Sequence, residues 1–169
     1  TMGTFGEDCA AKYRFTREQQ DAFAVVSAQR ALAATASGAF AAEIAPVTVK
    51  GRGGDTVIST DEAPGKVKLD KIASLKPAFK KDGTITAASS SSISDGAAAL
   101  VLMRASTAAA KGLKPLARIV SHAMHAQAPN WFSTAPIGAV NKALGRAGWA
   151  VKDVDLWEVN EAFAVVPMA

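Results

Sequence analysis

Residues Ala97 to Met103 (Ala-Ala-Ala-Leu-Val-Leu-Met) form an unbroken apolar run directly after an Asp95-Gly96 turn. A run this short, bounded by turn residues, is what a central strand covered on both faces requires, because alternation disappears when neither face meets water. It restricts the chain to architectures with layers on both sides of a sheet. The rest of this half fits. Ser106 to Lys111 reads as a short helix closed by Gly112, and Leu116 to His122 as a strand. Pro136 to Ala147 reads as a helix with Ile137, Val140, Leu144 and Ala147 on one stripe and Gly148 as its stop. Val154 to Val159 reads as a strand that hands over to a helix at Asn160. Strand, helix, strand, helix, strand argues an α/β layered fold.

The first half has a different character. Thr4-Phe5-Gly6-Glu7 is a capping-box pattern and predicts a helix to about Tyr13, with Phe5, Cys9 and Tyr13 on one face. Thr16 to Gln19 repeats the pattern. The helix it opens carries Ala22, Phe23, Val26 and Ala33 on its apolar face and ends at Gly38. Ile44 to Val49 and Thr56 to Ser59 form the arms of a hairpin across a glycine-rich turn. Asp61 to Gly83 is loop-rich, with a short helical piece near Leu69 to Ser74. Four serines, Ser89 to Ser92, precede the apolar run. This half reads as a separate, loop-rich subdomain.

Composition excludes several classes. Hydrophobic content of 49% with 20% charge describes a globular chain with a real core. No apolar run approaches the roughly 20 residues that span a bilayer, and the first residues lack the pattern of a secretory signal. One cysteine, Cys9, excludes an internal disulfide; its helical spacing marks it as a core residue, and the expected setting is the cytoplasm. Net charge is +4, with Lys66, Lys68, Lys71, Lys76, Lys80 and Lys81 in one stretch. No aromatic interleaving or zinc spacing accompanies these lysines, so nucleic acid is not an expected partner. On a strand His122 and His125 point to opposite faces, and no metal site is expected.

Three stretches together resemble the thiolases, enzymes that make or cleave 3-ketoacyl-CoA thioesters. They are Met2-Gly3-Thr4 with the later Gln19-Gln20-Asp21-Ala22-Phe23-Ala24, then Leu75-Lys76-Pro77-Ala78-Phe79 with Asp82-Gly83-Thr84-Ile85-Thr86-Ala87, Ser91 and Asp95-Gly96-Ala97-Ala98-Ala99, and last Asn160-Glu161-Ala162-Phe163-Ala164. Each alone is a weak signal, whereas their order and spacing together are specific. The resemblance spans the whole chain and implies a partial, central segment of the α/β thiolase-like layered fold. Residues 1–93 would be the CoA-binding loop domain, 94–113 the end of the N-terminal catalytic domain and 114–169 the start of the C-terminal one.

The resemblance also implies roles. Asn160 would hold the water that donates to the thioester oxygen as charge develops on it. Ser91 would hydrogen-bond the pantetheine arm of CoA, which would lie against Ala87. Met2, Phe79, Phe132, Ala162 and Phe163 would line the thioester tunnel. Gly65 falls where the family often has an arginine for the nucleotide end of CoA; Lys66 is the expected substitute, with Lys68 and Lys71 as further candidates. Where the family often has Gly-Asn-Ala-Ser-Gly, this chain has Ala88-Ser89-Ser90-Ser91-Ser92. No cofactor is implied; CoA and acyl-CoA are substrates, and the whole enzyme would be a homodimer or tetramer. The family's nucleophilic cysteine, its Gly-His-Pro histidine and its second cysteine are not among these residues, so residues 1–169 alone are expected to be inactive. Acetoacetyl-CoA synthesis from two acetyl-CoA, or its thiolytic reverse, is the expected parent reaction. Alternatives are a 3-ketoacyl-CoA thiolase of fatty-acid oxidation and a non-catalytic CoA-binding module.

Overall fold

Helix α1 (Met2–Tyr13) starts where local hydrogen bonding lets it. The Thr4 N–H donates to Thr1 Oγ1 and the Thr1 amino group donates to Thr4 Oγ1 at 3.0 Å. The cap therefore lies one turn earlier than Thr4, and Glu7, expected to close that box, points elsewhere. Helix α2 (Arg17–Ala36) begins as the sequence predicts: Thr16 Oγ1 accepts from Gln19 N and Thr16 N donates to Gln19 Oε1 at 2.9 Å. It ends just before Gly38, whose φ of 71° suits a residue without a Cβ. Its buried face differs from the expected one. Gln20 and Ala24 are buried, while Ala22, Val26 and Ala33 are exposed. The seam is polar because Gln20 Nε2 donates to Thr84 Oγ1 at 2.9 Å across the unit.

The computed structural model describes all 169 residues, which divide into two compact units. The first comprises 1–92 with 160–169. After α2 comes the hairpin of β1 (Val47–Val49) and β2 (Thr56–Ile58), antiparallel with Val47 opposite Ile58. Helix α3 (Glu62–Lys66), capped by the Asp61 carboxylate, and a 3-10 helix (Leu69–Ser74) follow. Arg17 fixes the latter: Nη2 donates to Ile72 O at 3.1 Å and Leu75 O at 2.8 Å, while Nε donates to Asp21 Oδ2 at 2.7 Å. Cys9, Ala24, Ile72, Ile85, Phe163 and Val165 form the core of this unit. Cys9 is fully buried with its Sγ 4.0 Å from Val165 O, on the terminal helix α6 (Val165–Met168).

The second unit, 93–159, holds α4 (Ala105–Ala110), a 3-10 helix (Pro129–Thr134), α5 (Ala135–Ala147) and a 3-10 turn (Val151–Asp153). Both predicted glycine stops are present, Gly112 at φ 63° and Gly148 at φ 71°. The segment before α5 is tied to it by Ser121 Oγ donating to Ala143 O (2.7 Å), Arg146 Nη1 to His122 O (2.5 Å) and Lys142 Nζ beside His125 Nδ1 (3.2 Å).

Three expected strands, 97–103, 116–122 and 154–159, form no ladder. A strand exists only as a member of a pair, and none of these runs pairs with another. Most of their side chains stay in solvent, with Leu100 at 86% and Val101 at 87% exposure. Patches of this kind drive association. Residues 1–169 expressed alone are expected to bind a hydrophobic dye strongly and to aggregate on concentration. A dye-silent monomer in analytical ultracentrifugation would contradict this.

Candidate functional site

The serine run is an ordered turn. Thr86 is fully buried and Ser89 nearly so. Thr86 N donates to Ser89 Oγ at 2.9 Å, Ser90 Oγ donates to Thr86 O at 2.7 Å, and Ala88 N donates to Thr86 Oγ1 at 3.2 Å. Short hydroxyl side chains satisfy backbone groups locally and so replace the ladder a strand would need.

On this turn sits the segment 160–164. Ser90 and Phe163 form an isolated antiparallel bridge, flanked by Ala164 N donating to Ser89 O (2.9 Å) and Ser91 N donating to Ala162 O (3.1 Å). Ser91 Oγ donates to Glu161 O at 2.5 Å, and Ser27 Oγ of α2 donates to Glu161 Oε2 at 2.6 Å. The backbone next to Asn160 is thus held from two sides. Asn160 O accepts from Ala162 N at 3.0 Å, and the Asn160 side chain is exposed. It caps no helix, because α6 begins at Val165 with Ala164 as its N-cap.

Phe163 is 7% exposed and meets Phe79 edge-on, with ring centroids 5.7 Å apart and an interplanar angle of 88°. Edge-to-face packing is the favoured arrangement of two aromatic rings. The Phe79 ring also lies against the Gly3 backbone, and the exposed Met2 is its neighbour on α1. Hydrogen bonds and the ring contact thus link Phe79, Phe163, Ala162, Ser91 and Asn160 within this unit, and Ala87 is exposed.

Two expected contacts lie elsewhere in the chain. Phe132 is half-buried on the Pro129–Thr134 helix of the second unit. Lys66 is exposed on α3, its Nζ 2.6 Å from Glu62 Oε2. The hydrogen bond from Lys66, then its charge, holds the Glu62 carboxyl below its usual range. This solvent-exposed pair is lost as pH falls through the lowered value.

Sequence reading missed the groups that anchor these segments. Glu7 is nearly buried, and its carboxylate accepts from Thr84 N (2.9 and 3.0 Å), Thr84 Oγ1 (3.0 Å) and Ile85 N (2.9 Å). It anchors the segment leading into the serine turn onto α1. Ser27 gave no signal beyond its helical position. A cleft of about 350 Å³ beside Glu7, lined among others by Arg14, Lys80 and Asp82, contains none of the expected substrate contacts.

Comparison with known proteins finds two family models along the chain. Residues 1–106 match the family model "Thiolase, N-terminal domain" and 113–169 match "Thiolase, C-terminal domain". The chain is 54% identical to the probable acetyl-CoA acetyltransferase of Dictyostelium discoideum, covering 99% of this chain and 41% of that protein. It is 47% identical to the acetyl-CoA acetyltransferase of Paracoccus denitrificans, covering 99% and 43%. Among solved structures, the Bacillus anthracis acetyl-CoA acetyltransferase superposes with a TM-score of 0.95 at 43% identity, over 99% of this chain and 43% of the other. The Syntrophomonas wolfei acetyl-CoA acetyltransferase gives 0.88 at 40% identity, over 99% and 42%. The chain thus spans about two fifths of the length of these relatives. Both catalytic-domain models match, and the fold is a partial thiolase fold: this chain belongs to the thiolase family.

Proposed function

We propose that these residues supply the CoA-holding and oxyanion-stabilising part of an acetyl-CoA C-acetyltransferase. The reaction joins two acetyl-CoA into acetoacetyl-CoA and free CoA, or runs in reverse by thiolysis. The acyl-accepting cysteine and the acid–base pair this chemistry needs are not among residues 1–169, whose only cysteine, Cys9, is buried in the core. The chemistry therefore requires a polypeptide that also carries those groups.

The observation that supports the reading is the docking of 160–164 on the serine turn. It joins the segment that carries an exposed neutral amide to a fixed hydroxyl and an aromatic pair. A pantetheine arm is thin and carries two amides, so it needs an apolar groove with few, fixed polar groups. The hydroxyl of Ser91 has its one hydrogen committed to Glu161 O, leaving lone pairs toward a ligand. Ser91 would thus accept from a pantetheine N–H. On this reading Ala87 borders the arm and Phe79, Phe163, Ala162 and Met2 border the thioester, while Lys66 meets the nucleotide phosphates. CoA is substrate and no further cofactor takes part.

The test is steady-state thiolysis of acetoacetyl-CoA by the polypeptide carrying these residues together with the cysteines. Ser91→Ala should raise KM for CoA roughly threefold to tenfold, the range of one neutral hydrogen bond, and lower kcat as well, because the same hydroxyl holds Glu161 O beside Asn160. Thiolysis faster with long-chain 3-ketoacyl-CoA than with acetoacetyl-CoA would favour a degradative thiolase instead. Binding of CoA without turnover would favour the non-catalytic module.

A further inference from the structure

We propose that Gly3 determines which acyl chain lengths the site accepts, by setting how far the Phe79 ring projects. A Cβ built on Gly3 would lie 2.1, 2.2 and 2.4 Å from Phe79 Cγ, Cδ1 and Cδ2. Carbon atoms pack without repulsion only near 3.5–4 Å, so the ring occupies the volume of the missing side chain. Gly3 lies in α1, whose backbone cannot yield locally without breaking helical hydrogen bonds.

The ring is bounded on a second side as well. That side holds Phe163, edge-on at 5.7 Å, whose backbone is anchored by the bridge to Ser90. Phe79 nevertheless remains 38% exposed, so its open side is the direction in which added volume at Gly3 must push it. On the reading proposed above, on which this inference rests, that open side is the acyl tunnel. Gly3 touches no substrate and acts as a positioning residue through Phe79. The bare helix surface at Gly3 retracts the ring, and a methyl there would advance it and shorten the space beyond the thioester.

The experiment compares kcat/KM for thiolysis of acetoacetyl-CoA and of 3-ketohexanoyl-CoA by the full enzyme. Gly3→Ala should lower the longer-to-shorter ratio by about tenfold or more, the range for one excess methylene in an apolar pocket. Gly3→Ala with Phe79→Leu should restore the ratio, because the smaller side chain yields. Melting temperature follows folding, and if Gly3→Ala does not fold, Phe79→Ala alone should raise the ratio by opening the same space. A ratio unchanged or raised in Gly3→Ala, or unchanged in Phe79→Ala, overturns the inference. A wild-type enzyme that cleaves neither substrate overturns instead the reading beneath it.

Discussion

Replacing Glu7 by alanine is expected to destabilise the first unit by about 3 kcal/mol, read as a lower urea midpoint at unchanged slope. The carboxylate is 6% exposed and accepts from two successive backbone N–H groups, Thr84 and Ile85, as well as from the Thr84 hydroxyl. Ile85 is fully buried, so water cannot replace the lost acceptor. Each orphaned buried donor costs about 1–3 kcal/mol, which outweighs the ~1 kcal/mol net value of a typical hydrogen bond. The loss propagates. Thr84 Oγ1 also accepts from Gln20 Nε2, so one carboxylate couples α1, the approach to the serine turn and α2. Glu7→Gln should fall between the two, since its carbonyl oxygen still accepts while its NH2 faces donors at the second position. Were Glu7 merely a helix-capping residue, both variants would cost about 1 kcal/mol or less and would not differ.

Glu7 also shows where sequence reasoning ends. Thr-x-x-Glu is the same local pattern whether the glutamate turns back to the cap or reaches outward. Its partner, Thr84, lies 77 residues on, and only the folded unit decides. The same holds for α2, where period alone favoured Ala22, Phe23, Val26 and Ala33 but the buried seam holds Gln20 and Ala24. A buried glutamine is invisible to hydrophobic patterning until its partner is known. Helix ends were legible because their determinants are local: Thr16 with Gln19, Gly112 and Gly148. Strand 97–103 was legible as a pattern but not as a structure, because a ladder depends on a neighbour and a helix does not. Within the candidate site, short motifs brought Ser91 and Asn160 to notice separately. Their union through the Ser90–Phe163 bridge is a long-range pairing that no local period encodes.

Asn160→Ala, in the enzyme that also carries the catalytic cysteines, is expected to lower kcat for acetoacetyl-CoA thiolysis by about 10²–10³, with KM and melting temperature nearly unchanged. The backbone around it is fixed independently of its side chain. Ser27 and Ser91 hold Glu161, and Ser91 N holds Ala162 O. No helix depends on it for capping, since α6 starts at Val165. Truncation should therefore cost little stability, and what it removes is a neutral group that both donates and accepts. On the proposed reading that group holds the water facing the thioester oxygen, where negative charge develops in the transition state but not in the bound substrate. An interaction made only in the transition state appears in kcat and kcat/KM equally. Asn160→Asp separates shape from charge. It preserves size and acceptor capacity but places a carboxylate where negative charge must form, so its rate should be no better than that of the alanine variant. Loss of melting temperature in step with loss of rate would instead make Asn160 a structural residue. Ser27→Ala, which frees Glu161 without touching Asn160, offers the complementary reading. Its kcat should fall modestly while CoA binding persists, because the Glu161 carboxylate is freed while Ser91 still holds the backbone beside Asn160.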